Sequence, residues 1–112
     1  MNLLKETKDI LKQHGKTLND IKWIGSYAFK IDKEVALEIF KKTNYDEGFG
    51  AQEVATDLLV VGENWWLERH EYDGSEWWEY KEIPNTPSKV KATKRVAGRR
   101  CPTLDELIEV EQ

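Results

Sequence analysis

The apolar residues near the start of the chain recur first at the spacing of a helix and then at the spacing of strands. Leucine, threonine and isoleucine residues fall three or four positions apart over residues 3–14, and Gly15 suits the position just past a helix end. Residues 20–32 then hold two short runs of β-branched and aromatic residues on either side of Gly25-Ser26. The two patterns predict an amphipathic helix and a β-hairpin with a two-residue turn.

A second amphipathic helix is predicted directly after this hairpin. Asp32 suits the N-cap, Glu34 suits the first turn, and the apolar stripe over residues 35–40 supplies one buried face. Lys41 and Lys42 suit the C-terminal end, because the helix dipole favours positive charge there.

Residues 58–83 have the pattern of a three-strand antiparallel meander. An apolar run over 58–61 and a turn at 62–64 lead into a long strand that ends at about Tyr72. Asp73-Gly74 separates this strand from the last one, and Asp-Gly between two alternating runs is a strong hairpin signal.

These elements predict an α+β fold in which two helices pack on an antiparallel sheet of about five strands, made of the hairpin and the meander. A length of 112 residues is typical of one domain, and we assign residues 1–84 to it. Residues 85–112 are predicted to form a basic arm or an edge strand near Val90. A short acidic terminal helix follows, beginning at a capping box of Thr103 and Glu106.

Four of the five tryptophans lie in the meander as two adjacent pairs, so each pair places one ring on each face of the sheet. A two-residue turn sets Tyr72 opposite Ser75. The face expected to join the core then carries Trp65, Leu67, Trp78 and Tyr80. The second face carries Trp66, Glu68, His70, Tyr72, Trp77, Glu79, Lys81 and Ile83.

The sequence leaves two alternatives for the second face. Glu68 would lie opposite Glu79, and a longer loop would shift the register and remove this unfavourable pair. A helix or the C-terminal segment is an alternative cover for the second face, in which case all four tryptophans are structural.

Charge is segmented along the chain, although the net charge is only −4. Residues 1–43 carry +3, residues 44–88 carry −9, residues 89–100 carry +6 and the last twelve carry −4. The acidic middle would repel phosphate groups, which disfavours direct nucleic-acid binding by the hairpin. The basic segment has the sign that nucleic acid requires, but a linker that docks on the acidic middle of the same chain is the simpler interpretation.

Glu68, His70 and Glu79 are side chains whose chemistry would suit a metal ion or general acid–base work. The chain has only two histidines and one cysteine, however, and no HExxH, GxSxG or P-loop pattern. We therefore predict no catalytic residues, no metal site, no cofactor and no enzymatic activity. No apolar run has the length of a signal peptide or a membrane span, so we expect a cytosolic protein that does not bind membranes.

Residues 44–84 contain both Trp-Trp pairs and the run Tyr-Asp-Gly-Ser-Glu-Trp-Trp. On these motifs the stretch resembles a family of small uncharacterised proteins encoded by phages and prophages of low-GC Gram-positive bacteria. The resemblance is weaker over the N-terminal helix and hairpin and absent over the tail. It implies a setting, the cytosol of a bacterial host during infection or lysogeny, and it implies no functional residues.

Our leading hypothesis is a non-enzymatic phage or prophage accessory protein that binds a protein partner through the acidic, tryptophan-rich hairpin. Aromatic anchors inside a charged rim are typical of interaction hot spots. The predicted anchors are Trp66, His70, Tyr72 and Trp77, and the predicted selectivity residues are Glu68, Glu71 and Glu79. One alternative is an acidic DNA mimic that inhibits a host DNA-handling or defence protein, and a second is a carbohydrate-binding module. A homodimer is compatible with each of them.

Overall fold

A computed structural model of the chain describes residues 1–46 and 50–111 and has the α+β architecture that the sequence predicts. Over these residues it contains three α-helices and one sheet of five strands. In chain order the elements are α1 (Leu3–Gln13), β1 (Trp23–Gly25), β2 (Lys30–Ile31), α2 (Lys33–Lys42), β3 (Leu59–Val61), β4 (Trp65–Tyr72), β5 (Ser75–Glu82) and α3 (Leu104–Glu111). The predicted α+β class is confirmed.

Both predicted N-terminal helices form, and their ends follow from local chemistry. The side chain of Asn2 accepts a hydrogen bond from the amide of Lys5 at the start of α1, and Gly15 follows its end with a φ of 70°. At the start of α2, Asp32 accepts a hydrogen bond from the amide of Val35 at 3.0 Å. The predicted N-cap of α2 is therefore confirmed.

The strands lie side by side in the order β2-β1-β3-β4-β5, and every pair is antiparallel. The hairpin of β1 and β2 was predicted correctly, but its two-residue turn at Gly25-Ser26 was wrong. Gly25 lies within β1 opposite Lys30, so the connection is the four residues 26–29. Ser26 stabilises this longer loop, because its hydroxyl accepts a hydrogen bond from the amide of Ala28 at 3.1 Å.

The β4–β5 register is the predicted one, with Tyr72 opposite Ser75 and Glu68 opposite Glu79. Asp73 and Gly74 form the two-residue loop and have φ angles of 49° and 87°. Two positive φ angles are what the type I′ turn of a tight hairpin requires. The longer loop considered as an alternative is therefore excluded.

The core lies between one face of the sheet and the two helices α1 and α2. Its helix residues include Leu3 and Leu11 of α1 and Ala36 and Phe40 of α2. On the sheet side, the predicted core face is confirmed for its two tryptophans, since Trp65 is 2% exposed and Trp78 is 3% exposed. The other sheet residues of the core are Ile24, Val60 and Leu67, with Tyr80 packed against them.

The chain after β5 extends away from this core. Residues 83–103 form neither a helix nor a strand, so the edge strand considered near Val90 is not present. The predicted terminal helix does form, and the hydroxyl of Thr103 accepts a hydrogen bond from the amide of Glu106 at 3.3 Å. The radius of gyration is 18.8 Å, whereas a compact chain of this length has about 13 Å.

The basic arm, residues 89–100, does not dock on the acidic hairpin. All twelve of its residues are exposed. Lys91 lies 3.8 Å from Asp105 of α3, which keeps that ion pair within the tail. Leu107 of α3 is buried, but it is not part of the main core, and its side chain lies beside Gly98 of the tail.

Candidate interaction surface

The sheet has one face under the helices and one open face. Side chains alternate along each strand, so the cross-strand register assigns every strand residue to one of the two faces. The open face is opposite to the core face and carries Trp23, Gly25, Lys30, Leu59, Val61, Trp66, Glu68, His70, Tyr72, Ser75, Trp77, Glu79 and Lys81. Since α1 and α2 pack on the core face, neither of them covers these side chains.

An apolar row crosses the open face and contains the fifth tryptophan. Trp23 of β1 lies opposite Val61 of β3, and Val61 lies opposite Trp66 of β4. Leu59, in the neighbouring row, is only 5% exposed although it does not belong to the main core. The open face therefore has a small apolar cluster of its own.

Trp23 was missed by the sequence reasoning. Its own strand was predicted, but its place on the open face depends on β1 pairing with β3, which is about 35 residues further along the chain. The predicted alternation accounted for two tryptophans on this face, and the structure brings three to it.

Each hairpin tryptophan on the open face donates a hydrogen bond to the glutamate two residues later in its own strand. The indole Nε1 of Trp66 donates a hydrogen bond to Oε1 of Glu68 at 2.7 Å, and that of Trp77 donates to Oε2 of Glu79 at 3.0 Å. The polar edge of each ring is thereby satisfied within the protein. Trp77 nevertheless stays 37% exposed, so its ring is available to a ligand or partner.

The carboxylate of Glu68 contacts the residues two positions before and two positions after it in β4, Trp66 and His70. Its second oxygen, Oε2, lies 2.7 Å from Nε2 of His70. The hydrogen bond from Trp66, followed by that from His70, lowers the pKa of Glu68 below its ordinary value. Glu68 is therefore negatively charged at neutral pH, and it faces Glu79 across the hairpin.

Within residues 1–46 and 50–111, no group of three or more His, Cys, Asp or Glu side chains is placed to hold a metal.

Six of the seven predicted partner-binding residues share the open face, and the seventh does not. Glu71 lies opposite Glu76 and alternates to the core side of the hairpin, where it is exposed near the turn. The sequence reasoning grouped Glu71 with its acidic neighbours, but strand alternation separates adjacent residues. The six residues that the structure brings together are Trp66, Glu68, His70, Tyr72, Trp77 and Glu79.

The opposite side of the same hairpin is held by a buried charge network that the sequence reasoning missed. Nη1 of Arg69 lies 3.2 Å from each carboxylate oxygen of Glu6, and Nη2 lies 2.7 Å from Oε1 of Glu76. Tyr45 donates its hydroxyl to Glu6 at 2.5 Å. Burial, together with this hydrogen bond, raises the pKa of Tyr45 far above its ordinary value, so the phenol remains protonated.

This network joins the hairpin to α1 and to the segment before β3. Glu6 belongs to α1, Arg69 to β4 and Glu76 to β5, and the carboxylate of Glu76 also accepts hydrogen bonds from the amides of Glu53 and Val54. A signal for it was present, because the predicted register with Tyr72 opposite Ser75 also sets Arg69 opposite Trp78 on the core face, where a cation requires an anionic partner.

Comparisons of the chain with protein-family models, with curated proteins and with solved structures found no match. In the part of the chain that the structure describes, no helix is both long enough and apolar enough to cross a bilayer.

Proposed function

We propose that the chain is a non-enzymatic accessory protein of a phage or prophage that binds a protein partner through the open face of its sheet. The observation that carries this proposal is the presence of Trp23, Trp66 and Trp77 on a sheet face that neither α1 nor α2 covers. The resemblance of residues 44–84 to phage and prophage proteins supports the setting.

The chemistry of the open face suits a protein partner. Aromatic side chains bury a large area for few rotatable bonds, and they are enriched at the centres of interfaces. Trp66 and Trp77 are already oriented by hydrogen bonds to Glu68 and Glu79, so they lose little conformational freedom on binding. Tyr72, which is 76% exposed, extends the aromatic surface towards the hairpin turn.

The test is a capture experiment with the full chain as tagged bait. Lysate of a Gram-positive host that expresses phage genes supplies the proteins, and mass spectrometry identifies those that are retained. We expect the double variant Trp66→Ser/Trp77→Ser to lose a partner that the wild type retains. The matched control is Val35→Ser/Ile39→Ser, which removes two half-exposed apolar side chains from α2 and should retain the partner.

Folding must be followed in the same variants by thermal unfolding. Trp66→Ser/Trp77→Ser should unfold close to the wild type, whereas truncating the buried Trp65 or Trp78 should cost about 3–5 kcal/mol. Equal capture by the wild type and the Trp66→Ser/Trp77→Ser variant would refute the proposed surface. Release of the captured protein by added DNA would favour the DNA-mimic alternative, and fluorescence shifts with sugars would favour carbohydrate binding.

A further inference from the structure

The charged groups on the open face of the hairpin are arranged in rows. Glu68 and Glu79 form one row, directly opposed across β4 and β5. Trp66 lies in the row on one side of them and Trp77 in the row on the other side, on the opposite strand. The two carboxylates therefore lie between two indole rings.

Within the described residues, neither Glu68 nor Glu79 forms an ion pair with a lysine or an arginine. The carboxylate of Glu68 accepts a hydrogen bond from Trp66 and lies 2.7 Å from Nε2 of His70, and the carboxylate of Glu79 accepts a hydrogen bond from Trp77. Like charges directly opposed on a sheet are destabilising. Lys81, in the row of Trp66, is the one lysine that the hairpin places on this face, and its charge contributes to the lowered pKa of Glu68. Lys30 of β2 is on the same face but three strands away from β4. Within the hairpin, two carboxylates therefore exceed one lysine.

The indole rings of Trp66 and Trp77, which flank the two carboxylates, also favour a cation. The face of an indole ring attracts a cation through its quadrupole, and tryptophan is the strongest aromatic in this respect. Because the indole N–H groups of Trp66 and Trp77 are directed at the two carboxylates, the rings are fixed beside the negative charge. A planar guanidinium can stack on a ring and form hydrogen bonds with a carboxylate at the same time.

We propose that the open face takes a basic segment of the partner, with an arginine side chain that lies between Trp66 and Trp77 and pairs with Glu68 and Glu79. This inference rests on the proposed function and specifies the chemistry of the partner. Charge complementarity selects a basic segment, because a phosphate-bearing ligand would meet the two carboxylates. The lowered pKa of Glu68 keeps one of these charges in place at neutral pH.

The test uses the full chain and two synthetic probes, the peptide Val-Arg-Val-Arg-Val-Arg-Val and the same peptide with citrulline in place of each arginine. Calorimetric titration gives the affinity for the wild type, for Glu68→Gln/Glu79→Gln and for the control Glu34→Gln/Glu38→Gln. Glutamine keeps an oxygen that can accept the indole hydrogen bonds and removes only the charge. The control removes two exposed carboxylates from α2, on the other side of the sheet.

We expect the arginine peptide to bind the wild type and the control equally, and the Glu68→Gln/Glu79→Gln variant about fivefold or more weakly. Its affinity should also exceed that of the citrulline peptide and should fall as salt is added. Equal affinities of the two peptides, an absence of binding by both, or equal affinities of the two double variants would each overturn the proposal.

The capture experiment separates this inference from the proposed function. If the partner is lost in Trp66→Ser/Trp77→Ser but retained by Glu68→Gln/Glu79→Gln, the surface is correct and the basic segment is wrong. If the partner is retained by both variants, the proposed function itself fails.

Discussion

The guanidinium of Arg69 lies in the interior of this small protein with two carboxylates and a phenol around it. The side chains of Arg69 and Glu76 are 0% and 1% exposed, and that of Glu6 is 12% exposed. The guanidinium carbon also lies 4.8 Å from the centroid of the Trp78 ring. Charges that are removed from water to this degree are stable only while all partners are in place.

Replacing Arg69 with Met should therefore destabilise the protein strongly. Methionine is of comparable length and fills much of the space, but it leaves Glu6 and Glu76 without the cation that compensates their burial. We expect the free energy of unfolding in urea to fall by about 3–5 kcal/mol. The control Lys5→Met breaks an exposed ion pair with Asp9 and should cost less than about 0.5 kcal/mol. A loss below about 1 kcal/mol for Arg69→Met would mean that the network is solvated.

The sequence predicts on which face of the sheet a side chain lies, because strand alternation determines this. Alternation from the Asp73-Gly74 turn placed Trp65 and Trp78 in the core and Trp66 and Trp77 on the opposite face. It did not identify the anion beside Arg69, because Glu6 lies 63 positions away and only the packing of α1 on the sheet brings it near. Trp23 was missed because its place on the open face depends on the pairing of β1 with the distant strand β3.

At the level of elements, the β4–β5 hairpin determines which side chains form the open face. A shift of register by one residue would exchange the two faces and bury Trp66 and Trp77 in place of their neighbours. The turn prevents such a shift, because Asp73 and Gly74 both adopt positive φ angles and residues other than glycine, asparagine and aspartate rarely do so.

Gly74→Ala should test this role of the turn. With a φ of 87° at this position, a Cβ atom introduces backbone strain, and we expect a loss of about 1–2 kcal/mol in urea unfolding. The control Asp73→Asn retains a residue that suits the type I′ turn and should be neutral or slightly stabilising. An unchanged stability in Gly74→Ala would show that the strands, and not the turn, fix the register.

Most elements that local patterns specify were predicted correctly, and the loop between β1 and β2 was an exception. Both N-terminal helices and the meander follow from caps, periodicity and one turn within short stretches of chain. The loop between β1 and β2 was predicted two residues too short, because Gly25 looked like a turn residue. In the structure a Cβ atom at Gly25 would lie 2.2 Å from the carbonyl oxygen of Phe29, so the glycine is required by close approach of the backbone within the hairpin.

On the scale of the whole molecule, the chain consists of a packed part and an extended tail. The packed part contains the sheet, α1 and α2, and it ends where the amide of Ile83 donates a hydrogen bond to the carbonyl of Asn64. The tail carries the basic arm and then α3. The boundary between these two parts was predicted at about residue 84, because prolines and a change in the sign of the charge follow the last strand. It favoured docking of the arm on the acidic middle, which the exposed arm of the structure does not show.

Limited digestion with trypsin should reveal this division. Six lysine and arginine residues lie in the basic arm, and all of them are exposed in a segment without helix or strand. Cleavage there needs almost no local opening, whereas cleavage at the buried Arg69 needs the unfolding of the sheet. For a domain of ordinary stability, about 5 kcal/mol or more, the first cuts should precede cleavage at Arg69 by at least about a thousandfold in rate.

The product of this digestion should end between residues 89 and 100 and should keep the near-ultraviolet circular dichroism of its tryptophans. The reason is that all five tryptophans and the whole open face lie before Pro84, and none of the tail residues whose burial the structure describes belongs to the main core. Cleavage of the arm as slow as cleavage at Arg69 would show that the arm is held against the packed part in solution. In that case we would expect the basic side chains of the arm to contact the carboxylates of the open face.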